Sequence, residues 1–124
     1  MTRSEHDFDT RSALPLRPLL FEILLLLHQQ ERHGYALMRD LAESSDGRFS
    51  LGPGTLYRTL KDLRDRGWIE QSEARPAPEL DDERRRYYRL TELGRQVASA
   101  EAARLESLVR EARTGKLLPW RKSG

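Results

Sequence analysis

The side chains best suited to chemistry in this chain lie on one face of a helix predicted over residues 53–66. At about 100° per residue, this face is opposite the apolar leucines of the helix and contains Gly54, Arg58 and Lys61, with Thr55 beside it. An arginine in the major groove of DNA can donate two hydrogen bonds to guanine, which gives about 1–3 kcal/mol of discrimination. At the helix start, the backbone N–H of Gly54 and the hydroxyl of Thr55 can meet a phosphate. The pattern predicts recognition of duplex nucleic acid.

Two tyrosines extend this surface, and each has a second interpretation. Tyr57 lies between the apolar and basic faces of the helix, so its ring can pack in the core while its hydroxyl reaches a phosphate. Tyr35, near the start of the preceding helix, is a candidate phosphate contact or a packing residue. For Arg58 and Lys61 the alternative is an ordinary solvated helix face, because acidic residues lie nearby.

A second basic segment, residues 84–90, is predicted to be a β-strand. Strand alternation makes Tyr88 and Leu90 core residues, whereas Arg85 and Arg86 are candidate contacts to DNA phosphates. A charged edge strand that resists aggregation is the alternative. A helix followed by a basic hairpin is the arrangement with which winged-helix domains hold duplex DNA.

Apolar periodicity predicts the helices that must position this surface. The first helix is predicted over residues 16–30 and carries one apolar stripe, and Leu25 and Leu26 extend the apolar surface to a side that could pack on a partner subunit. A polar break follows, and a second helix is predicted over residues 34–43. Pro53 suits the first position of the third helix, because its φ angle is preset and no N–H donor is wasted there.

The last long helix is predicted over residues 92–113, with Thr91 as its N-cap. Small and apolar residues recur along it at spacings of four and three, as in a coiled-coil seam: Ala98, Ala102, Leu105, Val109 and Ala112. Small side chains let two helices approach closely. The helix is therefore predicted to form the interface of a homodimer.

The fold class that follows is mainly α with a small β-hairpin, whose first strand is predicted over residues 68–73. The chain is predicted to contain a flexible arm, a winged helix-turn-helix domain, a dimerisation helix and a tail, over residues 1–13, 14–91, 92–113 and 114–124. A length of 124 residues fits one domain with a modest core.

The sequence offers no residue set for catalysis or metal binding. His28 and His33 are separated by a predicted break, so they share no helical face, and no third ligand follows at metal spacing. Asp81, Asp82 and Glu83 are predicted on a loop, where tuning of a general acid by burial is not expected. We therefore predict no enzyme activity, no metal site and no cofactor.

The composition fits a cytoplasmic protein. No cysteine is present, which excludes disulfides and thiolate zinc sites and fits a reducing compartment. Residues 1–12 lack the apolar segment of a signal peptide. The apolar run over residues 19–27 is far shorter than the roughly 20 residues that span a bilayer, so no membrane association is predicted. The formal net charge of +2 indicates no partner by itself.

Four segments, in this order, resemble motifs of the PadR-like family of bacterial transcriptional regulators. They are His33-Gly34-Tyr35-Ala36-Leu37 at the second helix, Gly52-Pro53-Gly54-Thr55-Leu56-Tyr57-Arg58-Thr59-Leu60 at the third, Gly67-Trp68-Ile69 at the hairpin entry, and Arg86-Tyr87-Tyr88-Arg89-Leu90-Thr91-Glu92-Leu93-Gly94 at its exit. The resemblance covers about residues 16–113. The single C-terminal helix is similar to the short subgroup of the family.

The resemblance implies a homodimer that binds a pseudo-palindromic operator on double-stranded DNA, usually as a repressor. It also implies release by a small hydrophobic effector near the dimer interface, as in several relatives. The predicted dimerisation helix has no aromatic residue, which disfavours a flat aromatic ligand. The acidic loop before Arg84 departs from a basic wing, so a winged helix that binds proteins rather than DNA is the alternative function.

Overall fold

The computed structural model describes residues 10–72 and 86–120. Its elements follow the order α1 (Pro18–Gln29), β1 (Arg32–His33), α2 (Gly34–Ser44), α3 (Pro53–Asp65), β2 (Ile69–Gln71), β3 (Tyr87–Leu90) and α4 (Glu92–Thr114). Residues 10–12 are also helical, and Ala13 and Leu14 pack against the core. The predicted arm over residues 1–13 thus ends in a short helical segment next to the core, and residues 1–9 lie outside the described part.

The central helix of the fold is α1, which packs on α2, on β3 and on α4. It begins at Pro18, two residues after the predicted start, with the proline at the first helical position that it favours. Its side chains Ile23 and Leu24 are fully buried. Of the two leucines predicted to extend the apolar surface toward a partner, Leu26 is buried in the core and Leu25 is 40% exposed.

Helices α2 and α3 form the helix-turn-helix. The Nδ1 atom of His33 accepts a hydrogen bond from the backbone N–H of Ala36 at 3.0 Å and so caps the start of α2. Helix α3 begins at Pro53 as predicted, packs on α2 and β2, and buries its leucines in the core: Leu56, Leu60 and Leu63. Gly67, at a φ of +80°, ends the helix in the left-handed conformation that glycine tolerates best.

The sheet has three antiparallel strands rather than the predicted two-stranded hairpin, in the order β1-β3-β2. Strand β1 comes from the segment that the sequence indicated to be a polar break. It pairs Arg32 with Tyr88 and His33 with Tyr87. The side chain of Arg32 is only 9% exposed, because it donates to the Leu26 carbonyl oxygen and pairs with Asp40 at 2.9 Å. These contacts join the end of α1 to α2 and hold the short strand.

The junction between the sheet and α4 is closely packed. Thr91 caps α4 as predicted, because its Oγ1 accepts a hydrogen bond from the Gly94 N–H at 3.0 Å. The same hydroxyl donates to the Gly67 carbonyl oxygen at 2.6 Å, and the Thr91 N–H donates to the Trp68 carbonyl oxygen at 3.0 Å. Gly94 packs against that Trp68 carbonyl, so the end of α3, the start of β2 and the start of α4 are held together.

A buried carboxylate joins α4 to the segment that precedes α1. Glu101 is 2% exposed and forms two hydrogen bonds with the Arg104 guanidinium, at 2.7 and 2.9 Å. It also accepts a hydrogen bond from the backbone of Leu16. The hydrogen bonds from Arg104 lower the pKa of Glu101 below its ordinary value, although burial of the carboxylate opposes that change.

We expect Glu101→Gln to lower the free energy of unfolding by about 1–2 kcal/mol at pH 7, because a charge-assisted pair would become a neutral one. Arg104 is about a third exposed, so water limits the loss. The folded pKa of Glu101 lies below the unfolded value near 4.5. Its contribution is therefore complete above that pH and is lost as the pH falls through the folded pKa.

Urea unfolding of wild type and Glu101→Gln at pH 7, 5, 4 and 3 measures this contribution. The two stabilities should converge as the medium becomes more acidic. A difference that stays constant from pH 7 to pH 3 would show that ionised Glu101 does not stabilise the fold.

Candidate nucleic-acid interface

The outer face of α3 is accessible along its length. Gly54, Thr55, Arg58 and Lys61 are all exposed, whereas the leucines on the opposite face are buried. The Arg58 guanidinium lies 3.3 Å from the Thr55 hydroxyl and donates a weak hydrogen bond to it. That contact is exposed and replaceable, so Arg58 can exchange it for an acceptor on a ligand.

Two other cations at α3, Lys61 and Arg66, are paired in different ways. Lys61 forms an exposed ion pair with Asp65 at 2.8 Å, and both side chains are more than half exposed. Arg66 pairs with Asp62 at 3.1 Å and lies over the Trp68 ring at 5.0 Å. Lys61 is therefore free to change partner at little cost, whereas Arg66 is held at the helix end by two contacts.

The two predicted tyrosines occupy different environments. Tyr57 is half-buried and packs over Gly34, so closely that a Cβ atom on that glycine would lie 2.5 Å from the Tyr57 hydroxyl oxygen. Its ring thus joins α3 to the start of α2. Tyr35 is 54% exposed in the first turn of α2 and extends the accessible surface beside α3. The structure therefore gives Tyr57 a packing role and leaves Tyr35 accessible.

The wing is formed by β2 and β3, which pair Gln71 with Tyr88 and Ile69 with Leu90. Tyr88 is 3% exposed and Leu90 packs against the core, as predicted. Arg86 is exposed at the start of β3, with its guanidinium 3.5 Å from the Gln71 amide oxygen. Arg85 and the acidic loop lie outside the described residues.

Sequence reasoning missed one basic residue of this surface, Arg64. It follows Tyr57 and Lys61 at helical spacing on the flank of α3 that faces the wing. A groove of about 290 Å³ separates this flank from the sheet, and Arg64 and Arg86 border it from opposite sides. Residues seven apart on a helix share a flank, so the spacing places Arg64 with Tyr57, but it does not show that the wing lies beside that flank.

A single apolar stripe runs along α4 and changes its environment halfway. In the first half, Val97 and Ala98 are buried in the core of the protomer. In the second half, Leu105, Leu108 and Val109 are 36–48% exposed. Ala98 thus packs within its own chain, which leaves little of it for a partner. Of the other predicted seam residues, Ala102 is exposed and Ala112 is half-buried.

Within residues 10–72 and 86–120, no group of three or more metal-ligating side chains lies together. Among the same residues, no helix combines the length and the apolar character needed to cross a bilayer.

Three helices, an antiparallel sheet whose β2 and β3 form a wing beside α3, and a long C-terminal helix define a winged helix-turn-helix protein, which confirms the predicted fold class. Residues 23–100, more than half of the chain, match the Transcriptional regulator PadR-like family. The chain therefore belongs to the PadR-like family of transcriptional regulators, as the four sequence motifs predicted.

Several solved structures share this architecture. A Streptococcus transcriptional regulator is 30% identical and has a TM-score of 0.62, over 79% of this chain and 91% of that one. RosR of H. salinarum is 26% identical with a TM-score of 0.57, over 83% of this chain and 98% of that one. A PadR-like transcription factor from Bacteroides fragilis is 22% identical with a TM-score of 0.63, over 90% of this chain and 98% of that one, and at that identity shows the fold alone.

A curated relative is also similar in sequence. It is an uncharacterised protein of Lysinibacillus sphaericus, 30% identical over 89 residues, which are 72% of each chain. The family and the structural neighbours are transcriptional regulators, not enzymes.

Proposed function

We propose that this protein is a sequence-specific DNA-binding regulator of transcription that acts as a homodimeric repressor. The observation that carries the proposal is the accessible outer face of α3, where Arg58 and Lys61 project away from a leucine-filled core. Such a face fits the major groove of DNA, and the neighbouring wing fits the flanking backbone. Membership of a family of transcriptional regulators supports the same function.

Each predicted residue has a role in this proposal. Arg58 and Lys61 reach base edges in the major groove, because they are the long cationic side chains on the exposed face of α3. The other predicted residues position the protein on phosphates: Tyr35, Gly54, Thr55, Tyr57, Arg85 and Arg86. Tyr57 would contact a phosphate through its hydroxyl, the atom of its side chain that lies closest to Gly34.

We propose that a homodimer forms through the second half of α4. Leu105, Leu108 and Val109 continue the stripe that is buried in the first half of the helix, so they leave an apolar face in need of a partner. A second copy offers the same self-complementary face across a two-fold axis. In that dimer the two α3 helices would meet half-sites about 10 base pairs apart.

We further propose that a small effector compound releases the protein from DNA. A groove of about 240 Å³ lies beside Leu25 of α1 and Ala102 of α4, and the side chains of His28 and Arg95 border it. This lining suits a small hydrophobic compound that carries one polar group. A ligand in the groove would change the packing of α4 on α1, and thereby the separation of the two α3 helices in the dimer.

We expect Arg58→Ala to weaken binding to the specific DNA site by about 10- to 100-fold, because two hydrogen bonds to a guanine are lost. Thermal stability should not change, since the side chain lies on the exposed face of α3. Fluorescence anisotropy and thermal denaturation measure the two effects separately. Arg110→Ala is the matched control, because Arg110 is 67% exposed on α4 and lies opposite its apolar stripe.

Equal affinity of Arg58→Ala and wild type for the specific duplex would contradict the proposed role of Arg58. A similar loss in Arg110→Ala would attribute the effect to net charge rather than to a base contact.

The function itself is tested by anisotropy of the purified protein on the DNA directly upstream of its own gene and on a scrambled duplex, at two salt concentrations. Binding at least about a hundredfold tighter to the upstream DNA would support a specific autoregulator. Weak, equal and strongly salt-dependent binding to both duplexes would leave only backbone electrostatics. In that case the winged helix would instead be assigned to binding a protein partner.

A further inference from the structure

The groove between α3 and the wing is distinct from the outer face of α3. One wall is formed by α3, through Lys61 and Arg64, and the other by the wing, through Gln71 and Arg86. The groove has a volume of about 290 Å³. It therefore has room for a ligand group between two separate structural elements.

The charge of the groove favours an anion. Three cationic side chains border it against one carboxylate, that of Asp65, which is already paired with Lys61 at 2.8 Å. Arg64 is exposed, and within the described part of the chain its guanidinium has no hydrogen-bond or ion-pair partner. A guanidinium with all its donors available suits a phosphate, which accepts two parallel hydrogen bonds from it.

We propose that this groove binds one phosphate of the DNA backbone, held between Arg64 of α3 and Arg86 of the wing. The proposal rests on the proposed function, because a duplex that receives α3 in its major groove places a backbone strand between α3 and the wing. Gln71 positions the Arg86 guanidinium from the neighbouring strand, at 3.5 Å. Arg64 is thus a positioning residue that contributes affinity without reading sequence.

The test is the salt dependence of binding to a duplex of random sequence, which needs no operator. We expect Arg64→Gln to reduce the slope of log K against log salt by about 0.9, as for the loss of one phosphate contact. That change corresponds to an affinity about eightfold lower at 0.1 M salt. The loss should be the same on a specific duplex and on a scrambled one.

Arg66→Gln is the matched control, because it removes the same charge from the same end of α3. Arg66 is held by Asp62 and Trp68, on the flank away from the wing. Its slope should stay at the wild-type value. Equal slopes for Arg64→Gln and wild type, or equal changes in both variants, would overturn the proposal, because the effect would then be net charge alone.

A double-mutant cycle checks that the two arginines share one phosphate. Arg86→Gln and Arg64→Gln together should lower the affinity by less than the product of the single losses. Strict additivity would contradict a shared phosphate.

The outcomes separate this proposal from the function on which it rests. If Arg58→Ala lowers binding to the specific duplex while Arg64→Gln changes nothing, the protein reads DNA and the groove is not a phosphate site. If the wild type binds no duplex, both the groove assignment and the proposed function fail.

Discussion

Gly94→Ala is expected to lower the free energy of unfolding by about 3 kcal/mol or more. A Cβ atom at Gly94 would overlap the carbonyl oxygen of Trp68 and lie 2.9 Å from its carbonyl carbon and 3.0 Å from Leu90. The carbonyl cannot move away easily, because it accepts the Thr91 N–H at 3.0 Å. Alanine normally stabilises a helix by about 1 kcal/mol relative to glycine, so packing reverses the usual sign.

Gly115→Ala is the matched control for this prediction. Gly115 follows the other end of α4 at a φ of −82°, and a Cβ atom there would meet the Glu111 carbonyl oxygen at an ordinary 3.5 Å. Its stability should stay within about 0.5 kcal/mol of wild type. Urea denaturation of both variants and of wild type measures these differences in the free energy of unfolding. If Gly94→Ala unfolds at the wild-type midpoint, α4 does not meet the sheet as closely as described.

Leu105→Asp is expected to weaken the proposed dimer by at least about 100-fold, because it places an unpaired charge in an apolar interface. Leu105 is 36% exposed in the protomer, so the folded monomer should survive the change. DNA affinity should fall with dimerisation, since one protomer contacts only one half-site. Sedimentation velocity over a range of concentrations measures the first effect, and anisotropy measures the second.

Ser107→Asp introduces the same charge two residues away, on an exposed position across the helix from Leu105. This control variant should sediment as wild type does. A Leu105→Asp dimer that persists at micromolar concentration would contradict the proposed interface. Dissociation of both variants would indicate general repulsion along α4 rather than a seam at Leu105.

The long periodic elements could be predicted from the sequence, because local physics determines them. Pro53 starts α3 and Thr91 caps α4 through hydrogen bonds within the same few residues. Strand β1 could not be predicted in this way. A strand of two residues is too short to show alternation of apolar and polar side chains. Arg32 and His33 become a strand only because β3 pairs with them from more than 50 positions away along the chain.

The candidate site was predictable to a similar extent. Helical spacing alone places Arg58 and Lys61 opposite the buried leucines, and the structure has them there. Spacing could not assign Arg64, because the flank of a helix becomes part of a groove only when the wing lies beside it. The periodicity of α4 likewise could not show that Ala98 packs in its own protomer while Leu105 stays exposed, because that depends on where the rest of the fold lies along the helix.

Sequence-specific recognition through α3 is tested most directly by selecting bound duplexes from a randomised DNA library and sequencing them. We expect an enriched pseudo-palindrome with half-sites about 10 base pairs apart, and loss of preference at one position of each half-site for Arg58→Ala. Recovery of bound DNA with no sequence enrichment over the starting library would contradict recognition through α3.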